Sequence, residues 1–410
     1  MALLAILKDA RSPSLNILFL SQRVPYPPDR GDRITTHHIL RHLLDRGADV
    51  RVGCLAEDEQ DLESAKQIDG AEVFAARIHQ GTRKFTSLRG LASGEPLTLP
   101  FFRSRELTRT VSQWIAEDPP DLIHVYSSSM AQYVTGKQTA ARIMQFAELD
   151  SDKWAQYAQR CGPLSRWIYR REAQRLLTFE QCVAREFDIS LVVSDVEKTL
   201  FMDRIPEIEP VVLPNGVDVD AFTSRGDDER DTHTLIFTGV MDYEPNVDGV
   251  MWFVDKCWPS IRRAFADARL LIVGSRPTRS VRDLDRHPGV EVTGRVPETQ
   301  PYFDQAAVAI APLRLARGVQ NKVLEAMSMS VPVVASPQAA QGLGDLDKDT
   351  LCIADGSAAT TEAVCKMLSE PQVARSMGQR AAQFVRDRFR WEHSYAILDR
   401  VIETQLKLTF

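Results

Sequence analysis

The stretch Arg317-Gly-Val-Gln-Asn-Lys-Val-Leu-Glu-Ala-Met327 follows a short apolar run at residues 308–311 and precedes another that begins near Pro332. Pro312 ends the first run, and Pro332 ends the segment that follows it, so a loop and one helix fit between them. Short apolar runs without polar alternation are typical of parallel strands buried on both faces. The stretch therefore predicts a strand–loop–helix–strand unit of an open parallel sheet.

The helix of this unit is expected from about Val319, directly after Gly318. A glycine allows the backbone to approach a ligand closely, and a helix N-terminus offers free N–H groups to an anion. Lys322 and Glu325 are three residues apart and therefore share one helix face. A carboxylate there can bind ribose hydroxyls, and the cations Arg317 and Lys322 can hold a diphosphate. An ordinary crossover helix with a solvated Lys–Glu pair explains the same spacing, so the spacing alone leaves both interpretations open.

The rest of the chain repeats this alternation of strand-like and helix-like segments, without an internal sequence repeat. Strands are predicted at residues 15–21, 49–55, 121–126, 143–146, 189–193, 211–213, 234–238, 269–273, 290–293, 308–311 and 331–335. A chain of 410 residues is expected to form about two domains, at roughly 100–200 residues each. The pattern weakens only in the polar stretch at residues 219–233, which is the predicted linker.

The predicted fold class is therefore α/β, with two doubly wound Rossmann-like domains that face each other across a cleft. We expect an N-terminal extension at residues 1–14, a first domain at 15–218 and a second domain at 234–388. Residues 389–410 are predicted to form a C-terminal helix that packs back on the first domain. Ligands of such sheets bind beyond the carboxyl ends of the strands, so the site residues are sought there.

The bulk composition excludes several classes of protein. The net charge of −6 argues against a dedicated nucleic-acid binder, which is usually basic. No apolar run approaches the ~18–20 residues needed to span a bilayer, and no signal peptide is indicated. The six scattered cysteines lack metal-site spacing and are interpreted as small buried hydrophobes in a reducing compartment. We therefore expect a cytoplasmic protein.

The loop after the first predicted strand has the sequence Pro25-Tyr-Pro-Pro-Asp-Arg-Gly-Asp-Arg33. A helix is expected at about residues 32–46, with Asp32 as its N-cap and Gly31 suited to close ligand approach. A proline-rich turn with surface charges explains the same residues. Together with Arg33, these two residues are candidates for contact with a substrate in the cleft.

Three more polar residues lie near the ends of predicted strands in the first half. His124 is inside the run at residues 121–126, where a lone histidine is more often a core residue than a ligand. Asp150 and Asp152 follow the run at residues 143–146. Contact with substrate hydroxyls and a turn with an N-cap explain these two carboxylates equally well.

The second half resembles the retaining glycosyltransferases of family 4, which have the GT-B fold. The resemblance rests on the 317–327 stretch with its following Pro332-Val-Val-Ala strand, and on four further segments in the same order. These segments are Leu213-Pro-Asn-Gly-Val-Asp218, Ile236-Phe-Thr-Gly239, Leu271-Ile-Val-Gly274 and Val292-Thr-Gly-Arg-Val296. Met241-Asp-Tyr-Glu-Pro-Asn246, Trp252-Phe and Leu149-Asp-Ser-Asp-Lys-Trp154 look like the subgroup found with PEP-CTERM/exosortase exopolysaccharide systems.

The resemblance implies a hexosyltransferase that moves a sugar from a UDP- or GDP-linked donor to a glycan or lipid-linked acceptor, with retention of configuration. The first domain would bind the acceptor, and the glycine loop at Gly31 and His124 would lie near the substrates. Glu325 would hold the ribose, and the backbone around Arg295 and Val296 would hold the base. The remaining donor-binding residues implied are Gly239, Gly274, Gly318, Val319 and Leu324. Lys322, Arg317, Glu325 and His124 are the candidate catalytic residues.

This chain departs from the family pattern at two places. Arg317 stands where the family has its first signature glutamate, and Val240 and Pro245 stand where basic residues commonly follow the Gly239 loop. An unpaired diphosphate in a closed site is costly. Our hypothesis is that Arg317 and Lys322 supply the missing charge, with Arg314, Arg295 and Arg276 behind them.

No metal and no cofactor are expected, because no D-x-D cluster follows a strand in the donor half. Basic and aromatic residues at 83–109 and 160–175 suggest contact with a membrane surface that carries the acceptor, although a solvated helix face explains them too. Two alternatives remain: a nucleotide-sugar epimerase on the same fold and a non-catalytic nucleotide-sugar-binding subunit. A nicotinamide dehydrogenase is disfavoured, since no G-x-G-x-x-G follows a strand.

Overall fold

The computed structural model describes residues 14–78, 94–136, 139–159, 161–224, 231–316, 318–344, 346–347 and 349–410. Residues 1–13 of the predicted extension, residues 225–230 of the predicted linker and Arg317 lie outside the described residues. Part of the first basic stretch, at residues 83–93, and Arg160 of the second also lie outside them.

The first half of the chain builds a parallel sheet whose described strands run in the order β3-β2-β1-β4-β5-β6-β7. Its strands are β1 (Asn16–Ser21), β2 (Asp49–Ala56), β3 (Ala71–Arg77), β4 (Leu122–Tyr126), β5 (Ala141–Ala147), β6 (Ile189–Val192) and β7 (Val211–Val212). The register pairs Phe19 of β1 with Val52 of β2 on one side and His124 of β4 on the other. The strand order reverses direction between β1 and β4, which are neighbours in the sheet.

Helices connect these strands. They are α1 (Gly31–Asp45), α2 (Glu59–Ala65), α3 (Thr98–Phe101), α4 (Arg105–Glu117), α5 (Asp150–Gln159), α6 (Pro163–Glu186) and α7 (Asp195–Arg204), with a 3₁₀ segment at Ser128–Tyr133. Alternate residues of β1 face opposite sides of the sheet, so that Ile17 and Phe19 join one core cluster while Leu18 and Leu20 join another. The sheet is therefore covered on both faces, which its apolar strands predicted.

The second half builds another parallel sheet, with the described strands in the order β10-β9-β8-β11-β12-β13. Its strands are β8 (Thr234–Thr238), β9 (Arg269–Val273), β10 (Val290–Gly294), β11 (Val308–Ala311), β12 (Val333–Ala335) and β13 (Cys352–Ile353). Its helices are α8 (Glu244–Lys256), α9 (Trp258–Ala264), α10 (Arg279–Arg282), α11 (Gln300–Gln305), α12 (Asn321–Ser328), α13 (Pro337–Ala340), α14 (Gly356–Ser369), α15 (Pro371–Arg388) and α16 (Trp391–Arg400). There are 3₁₀ segments at Asp283–Arg286 and Gln341–Leu343 and a π-helical segment at Val401–Gln405. The prediction of two Rossmann-like parallel-sheet domains is confirmed.

Two edge strands have no counterpart among the predicted ones. β3 interrupts its apolar residues with Glu72 and stays partly exposed along most of its length. β13 has only two residues, and Ile353 is about half exposed. Edge strands bury less apolar surface than central strands, so the continuous apolar run that identifies a central strand is missing in both.

The chain forms two compact units. The first contains the described residues up to Val193, residues 197–213 and residues 395–410; the second contains residues 194–196 and 214–394. Within the described residues, no helix is both long and apolar enough to cross a membrane. All six cysteines are free; Cys54 and Cys257 are buried as expected, whereas Cys182 is exposed on α6.

The last residues of the chain belong to the first unit through contacts with α1. The His42 imidazole stacks on the Tyr395 ring at 4.3 Å and 4°, and its Nε2 lies 2.7 Å from Asp399 Oδ1. His38 Nδ1 lies 3.1 Å from the Tyr395 hydroxyl. Leu398, Val401 and Ile402 are buried in the core cluster that contains Ile17 and Phe19. Ring stacking and burial together therefore hold the C-terminal segment.

We expect Tyr395→Ala to loosen this segment by about 1–2 kcal/mol, since the stacked ring and its apolar contact are both lost. Amide hydrogen exchange of residues 395–410 would then speed up by roughly five- to thirty-fold. Tyr395→Phe keeps the ring and serves as the control, with a smaller change. Unchanged exchange in Tyr395→Ala would show that the stacking does not hold the segment.

Candidate functional site

The carboxyl edge of the second sheet consists of closely packed glycine backbone. Gly239 follows β8 and Gly274 follows β9, with φ of +151° and +154°, which few other residues adopt. The Gly239 N–H donates to the Val273 carbonyl at 3.0 Å, and the Gly274 N–H donates to the Gly294 carbonyl at 3.2 Å. A Cβ added to Gly274 would lie 1.7 Å from the Gly239 carbonyl oxygen. Only bare backbone therefore fits at these two positions.

Lys322 reaches this glycine edge from the first turn of α12. Its Nζ lies 2.5 Å from Asn246 Oδ1 and 4.5 Å from the centre of the Phe237 ring. A Cβ added to Gly239 would lie 2.9 Å from the same ammonium group. The Asn246 Nδ2 group in turn donates to the Val240 carbonyl at 2.9 Å, which fixes the amide that faces the lysine. The ammonium of Lys322 is thus held at the loop where this chain has Val240 and Pro245 in place of the basic residues of the family pattern.

Burial controls the charge of Lys322 and of Glu325, which stands one helical turn further on. Burial lowers the pKa of Lys322 to about 7, and the negative charge of Glu325 opposes this shift. Burial raises the pKa of Glu325 to about 7, and Lys322 opposes that shift. A phosphate group beside Lys322 would favour its charged form. The pair is therefore poised to change protonation state when an anion binds.

The loop before α12 packs its backbone against the turn at Gln341–Leu343. Gly318 has φ of +62°, and a Cβ on Gly342 would lie 2.2 Å from the Gly318 carbonyl carbon and oxygen. Val319 is almost buried, at 8% exposure. Arg314 forms an ion pair with Asp248 of α8. Arg314, which we expected to help supply the charge missing after Gly239, is therefore already paired with a carboxylate. The role of Arg317 stays a prediction, because that residue lies outside the described part of the chain.

The other predicted donor residues differ in their exposure. Arg295 is exposed, and Val296 is partly buried against the core of the second unit. Leu324 is fully buried, and its N–H donates to the Gln320 carbonyl at 3.2 Å. The prediction that Leu324 binds the donor is wrong, because both its side chain and its amide are used inside the protein. Arg276 has φ of +56° and lies 4.0 Å from Asp242.

In the first unit, Gly31 stands at the start of α1, as predicted, but Asp32 does not take its predicted position. The N-cap is Arg30, without a side-chain capping bond. Asp32 lies in the first turn instead, where it pairs with Arg23 at 2.5 Å and Arg30 at 2.9 Å. The expected N-cap role of Asp32 is therefore wrong, because these guanidinium groups engage its carboxylate.

Arg33 is also turned inward and is buried inside the first unit. It is 4% exposed and pairs with the buried Asp61 at 2.5 Å, and it lies 3.6 Å from Asp29. A buried guanidinium with a carboxylate partner stabilises the junction of α1 and α2, where breaking the pair would be costly. The prediction that Arg33 contacts the substrate is wrong.

His124 is a core residue rather than a site residue. It lies in the middle of β4 with no exposed surface, 5.1 Å from the Phe19 ring, and its Nε2 bonds the Gln145 amide oxygen at 3.0 Å. Burial lowers the pKa of His124 to about 4, so it is neutral at pH 7. The predicted catalytic role is wrong, because the side chain is fully buried and its Nε2 is engaged by Gln145. Tyr126, two residues further along the same strand, stands at its carboxyl end and was not predicted.

Asp150 and Asp152 both lie in the first turn of α5, as their position after a strand predicted. Asp152 pairs with Arg204 at 3.2 Å and accepts a hydrogen bond from Gln156 at 3.0 Å. Burial raises the pKa of Tyr126 and of Glu180, and the negative charge of Asp150 adds to both shifts. Within the described residues, no group of three or more His, Cys, Asp or Glu is arranged to hold a metal ion.

Comparison with protein families matches both halves of the chain. Residues 232–370 match the family described as Glycosyl transferases group 1, and residues 30–216 match the Glycosyl transferase 4-like domain. Phosphatidyl-myo-inositol mannosyltransferase of Mycolicibacterium smegmatis is 26% identical over 312 residues, which cover 72% of this chain and 74% of that protein. An uncharacterised 44.6 kDa protein in the cps region of Klebsiella pneumoniae is 20% identical over 83% of this chain and 87% of its own length.

Solved structures share the fold over nearly the whole chain. Sucrose-phosphate synthase from Thermosynechococcus elongatus superposes with a TM-score of 0.73 at 18% identity, covering 96% of this chain and 99% of its own. HepE of Anabaena, solved in complex with UDP-glucose, gives a TM-score of 0.66 at 14% identity over 96% of this chain and 100% of its own. At these identities the likeness establishes the fold alone, which is that of two Rossmann-like domains.

The protonation of Lys322 and Glu325 predicts a pH optimum for nucleotide-sugar affinity. Above about pH 7 Lys322 loses its proton and its attraction for phosphate, and below about pH 7 Glu325 gains a proton and loses an acceptor. Affinity for a UDP- or GDP-sugar, measured by calorimetry, should therefore peak near pH 7. It should fall by up to about tenfold per pH unit on either side, which is about 1.4 kcal/mol per pH unit.

Variants assign each limb of this profile. Lys322→Ala should bind more weakly and lose the alkaline limb, while Glu325→Gln should lose the acidic limb. Lys256→Ala at the exposed end of α8 is the matched control and should keep both. A flat wild-type profile between pH 5.5 and 9 would contradict the assignment.

Proposed function

We propose that this GT-B glycosyltransferase, identified by its two matched domains and its fold, transfers a sugar from a UDP- or GDP-linked donor to a glycan or lipid-linked acceptor with retention of configuration. One observation carries the proposal: the Lys322 ammonium lies beside the bare backbone of Gly239, held by Asn246 at 2.5 Å. A cation, a glycine edge and a helix N-terminus at one point suit a diphosphate.

In the proposed reaction, the bond between the anomeric carbon and the diphosphate oxygen breaks, and a bond to an acceptor oxygen forms on the same face. The acceptor hydroxyl proton leaves with the nucleoside diphosphate. Lys322, Arg317 and the amides at the start of α12 stabilise the charge that grows on the leaving group. With His124 inside the core, the proposal assigns no side chain as general base and relies on the positioning of the two substrates.

The remaining donor contacts follow from the same edge of the sheet. In this proposal, Gly239, Gly274 and Gly318 offer backbone to the phosphates, and the Glu325 carboxylate takes the ribose hydroxyls. The base lies against the backbone at Arg295 and Val296, which follow β10. No metal is required, because Lys322 and Arg317 supply the positive charge that a metal would otherwise bring.

A role in exopolysaccharide biosynthesis is part of the proposal. The relative from the cps region of Klebsiella pneumoniae supports it, and so does the resemblance of residues 241–246 and 149–154 to transferases found with PEP-CTERM/exosortase systems. The mannosyltransferase relative from Mycolicibacterium smegmatis is named for a lipid acceptor, phosphatidyl-myo-inositol. A lipid-linked acceptor would place the protein in the cytoplasm at the inner face of the membrane.

The N-terminal part of α6 supports such a membrane contact. Leu164 and Trp167 are 76% and 59% exposed, and Arg166 and Arg170 accompany them on this turn of the helix. Exposed large apolar side chains next to arginine are typical of surfaces that bind anionic lipid. In the other basic stretch, Arg103 pairs with Glu95, so less of its charge is available to lipid.

Two alternatives make different predictions with donor alone. A nucleotide-sugar epimerase would change the sugar without any acceptor, whereas a glycosyltransferase would require one. A non-catalytic subunit would bind the nucleotide sugar but would not convert it, with or without an acceptor. Incubation with donor, with and without an acceptor extract, therefore separates all three.

Removal of the Lys322 ammonium group should abolish most of the transferase activity. We expect Lys322→Ala to lower kcat by about 10²–10³-fold, the usual effect of deleting one donor to a developing oxyanion. Asn246→Ala should lose about tenfold, since it removes the group that orients the lysine. Release of nucleoside diphosphate from a panel of UDP- and GDP-sugars, in the presence of acceptor, is the measurement.

Lys256→Ala again provides the control, because this exposed lysine sits at the far end of α8 and should leave kcat unchanged. Full activity in Lys322→Ala would overturn the assignment of the diphosphate site.

Membrane binding has a separate test. The wild-type protein should co-sediment with vesicles that contain anionic lipid, and Trp167→Ser should reduce the bound fraction severalfold because its apolar anchor is lost. Val373→Ser, which alters an exposed apolar residue of α15, is the control and should bind like wild type. Equal binding to anionic and neutral vesicles would rule out the proposed contact.

A further inference from the structure

Two buried glutamates lie on the same long helix of the first unit, about two helical turns apart. Glu172 and Glu180 of α6 have exposed fractions of 1% and 0%. A carboxylate that is removed from water keeps its charge only where hydrogen-bond donors or a cation compensate it. The donors around each carboxyl therefore decide whether a negative charge can stay there.

Glu172 has donors on both of its carboxyl oxygens. Its Oε2 accepts a hydrogen bond from the Leu97 N–H at 2.5 Å. Its Oε1 accepts from the Thr98 N–H at 2.9 Å and from the Thr98 hydroxyl at 2.7 Å. All three bonds are short, and they come from the start of α3. A negative charge is well compensated at this place.

Glu180 has a much poorer set of donors. Its Oε1 accepts from the Ser128 hydroxyl at 3.3 Å and from the Ser151 N–H at 3.4 Å, both beyond the usual length of such bonds. Its Oε2 is enclosed and has no hydrogen-bond partner among the described residues. An ionised Glu180 would therefore hold one carboxylate oxygen that is neither hydrated nor hydrogen-bonded, and the geometry favours the neutral acid.

The charged residue that acts on Glu180 has the same sign as a carboxylate. Asp150 precedes Ser151 in the first turn of α5. Burial raises the pKa of Glu180 to about 8, the charge of Asp150 adds to this shift, and hydrogen bonds from Ser151 and Ser128 oppose it. Geometry and electrostatics thus agree that Glu180 keeps its proton at pH 7.

Other titratable side chains lie on the two elements that pack against Glu180. In α5, Lys153 follows Asp152, which pairs with Arg204 at 3.2 Å. In the 3₁₀ segment at Ser128–Tyr133, the Tyr133 hydroxyl donates to the Phe102 carbonyl at 2.6 Å. The Asp152 carboxylate and the Tyr133 hydroxyl are therefore engaged with partners of their own.

We propose that Glu180 is a proton-operated lock between α6 and the first turn of α5. With its proton in place, the neutral carboxyl stays enclosed between Ser128 and Ser151, and the two helices stay packed. Loss of the proton to solvent water leaves a negative charge beside Asp150, and this charge is relieved when the first turn of α5 moves away and admits water. Because α5 follows β5 directly, the lock makes the conformation of this edge of the sheet depend on pH.

The rest of the contact between α5 and α6 does not depend on charge. The Trp154 ring of α5 lies 5.2 Å from the Tyr169 ring of α6, and Ala158 is 1% exposed. These apolar contacts remain when Glu180 ionises. The opening is therefore confined to the end of α5 that contains Ser151.

Hydrogen exchange of the full-length protein between pH 5 and pH 9 tests the lock. The enclosed Glu180 carboxyl holds its proton up to about pH 8, whereas a carboxyl exposed by opening ionises at its ordinary pKa of 4.5. Opening is therefore favoured increasingly as the pH rises between these two values. In the wild type, the opening constant of amides 153–155, corrected for the intrinsic pH dependence of exchange, should rise by up to about tenfold per pH unit and level off above pH 8.

Amides and variants supply the controls. Amides 158 and 159, at the other end of α5, should show no such rise. Glu180→Gln keeps the shape of the side chain and cannot ionise, so its opening constants should not change with pH. Glu209→Gln removes an exposed carboxylate that pairs with Lys198, and it should follow the wild type.

Infrared spectroscopy gives an independent measurement of the Glu180 proton. The wild type should show a protonated-carboxyl band at pH 7 that Glu180→Gln lacks and that the wild type loses by pH 10. Absence of this difference at pH 7 would overturn the neutral state of Glu180. Wild-type opening constants that do not change with pH, or that change equally in Glu180→Gln, would overturn the lock. A flat wild-type profile is decisive even where a variant fails to fold.

Discussion

The proposed donor site of the second unit depends on the compensation of one half-buried ammonium group. Lys322 has an amide oxygen of Asn246, the face of the Phe237 ring and the field of Glu325 around it, and each compensates a charge only in part. Burial lowers the pKa of this group to about 7, and the charge of Glu325 opposes the shift. A buried charge without full compensation is costly, so the arrangement is most stable with an anion beside it. Gly239 and Gly274 carry no side chain at this edge, where a Cβ would meet the Lys322 ammonium or the Gly239 carbonyl oxygen.

Features that depend on local sequence were predictable from the residues. The central strands appear as continuous apolar runs, and the spacing of Lys322 and Glu325 places both on one helix face. Asn246 was not predicted as a partner, because it is 76 residues from Lys322 along the chain and only the packing of α8 beside β8 brings the two together. His124 and Leu324 show the opposite error, since family position suggested a site while burial inside the sheet or helix excludes it.

In the first unit, two backbone conformations with positive φ determine how the chain leaves β4 and β5. Ser127 and Ala147, directly after Tyr126 and at the end of β5, have φ of +75° and +59°, which cost side-chain-bearing residues about 1–3 kcal/mol each. Neighbouring strands hold them: the Ser127 N–H donates to the Gln145 carbonyl, and the Val193 N–H donates to the Ala147 carbonyl, both at 3.0 Å. Neither residue is a glycine, so the sequence offers no signal for these turns. The turns nevertheless fix the direction in which the chain leaves the ends of β4 and β5.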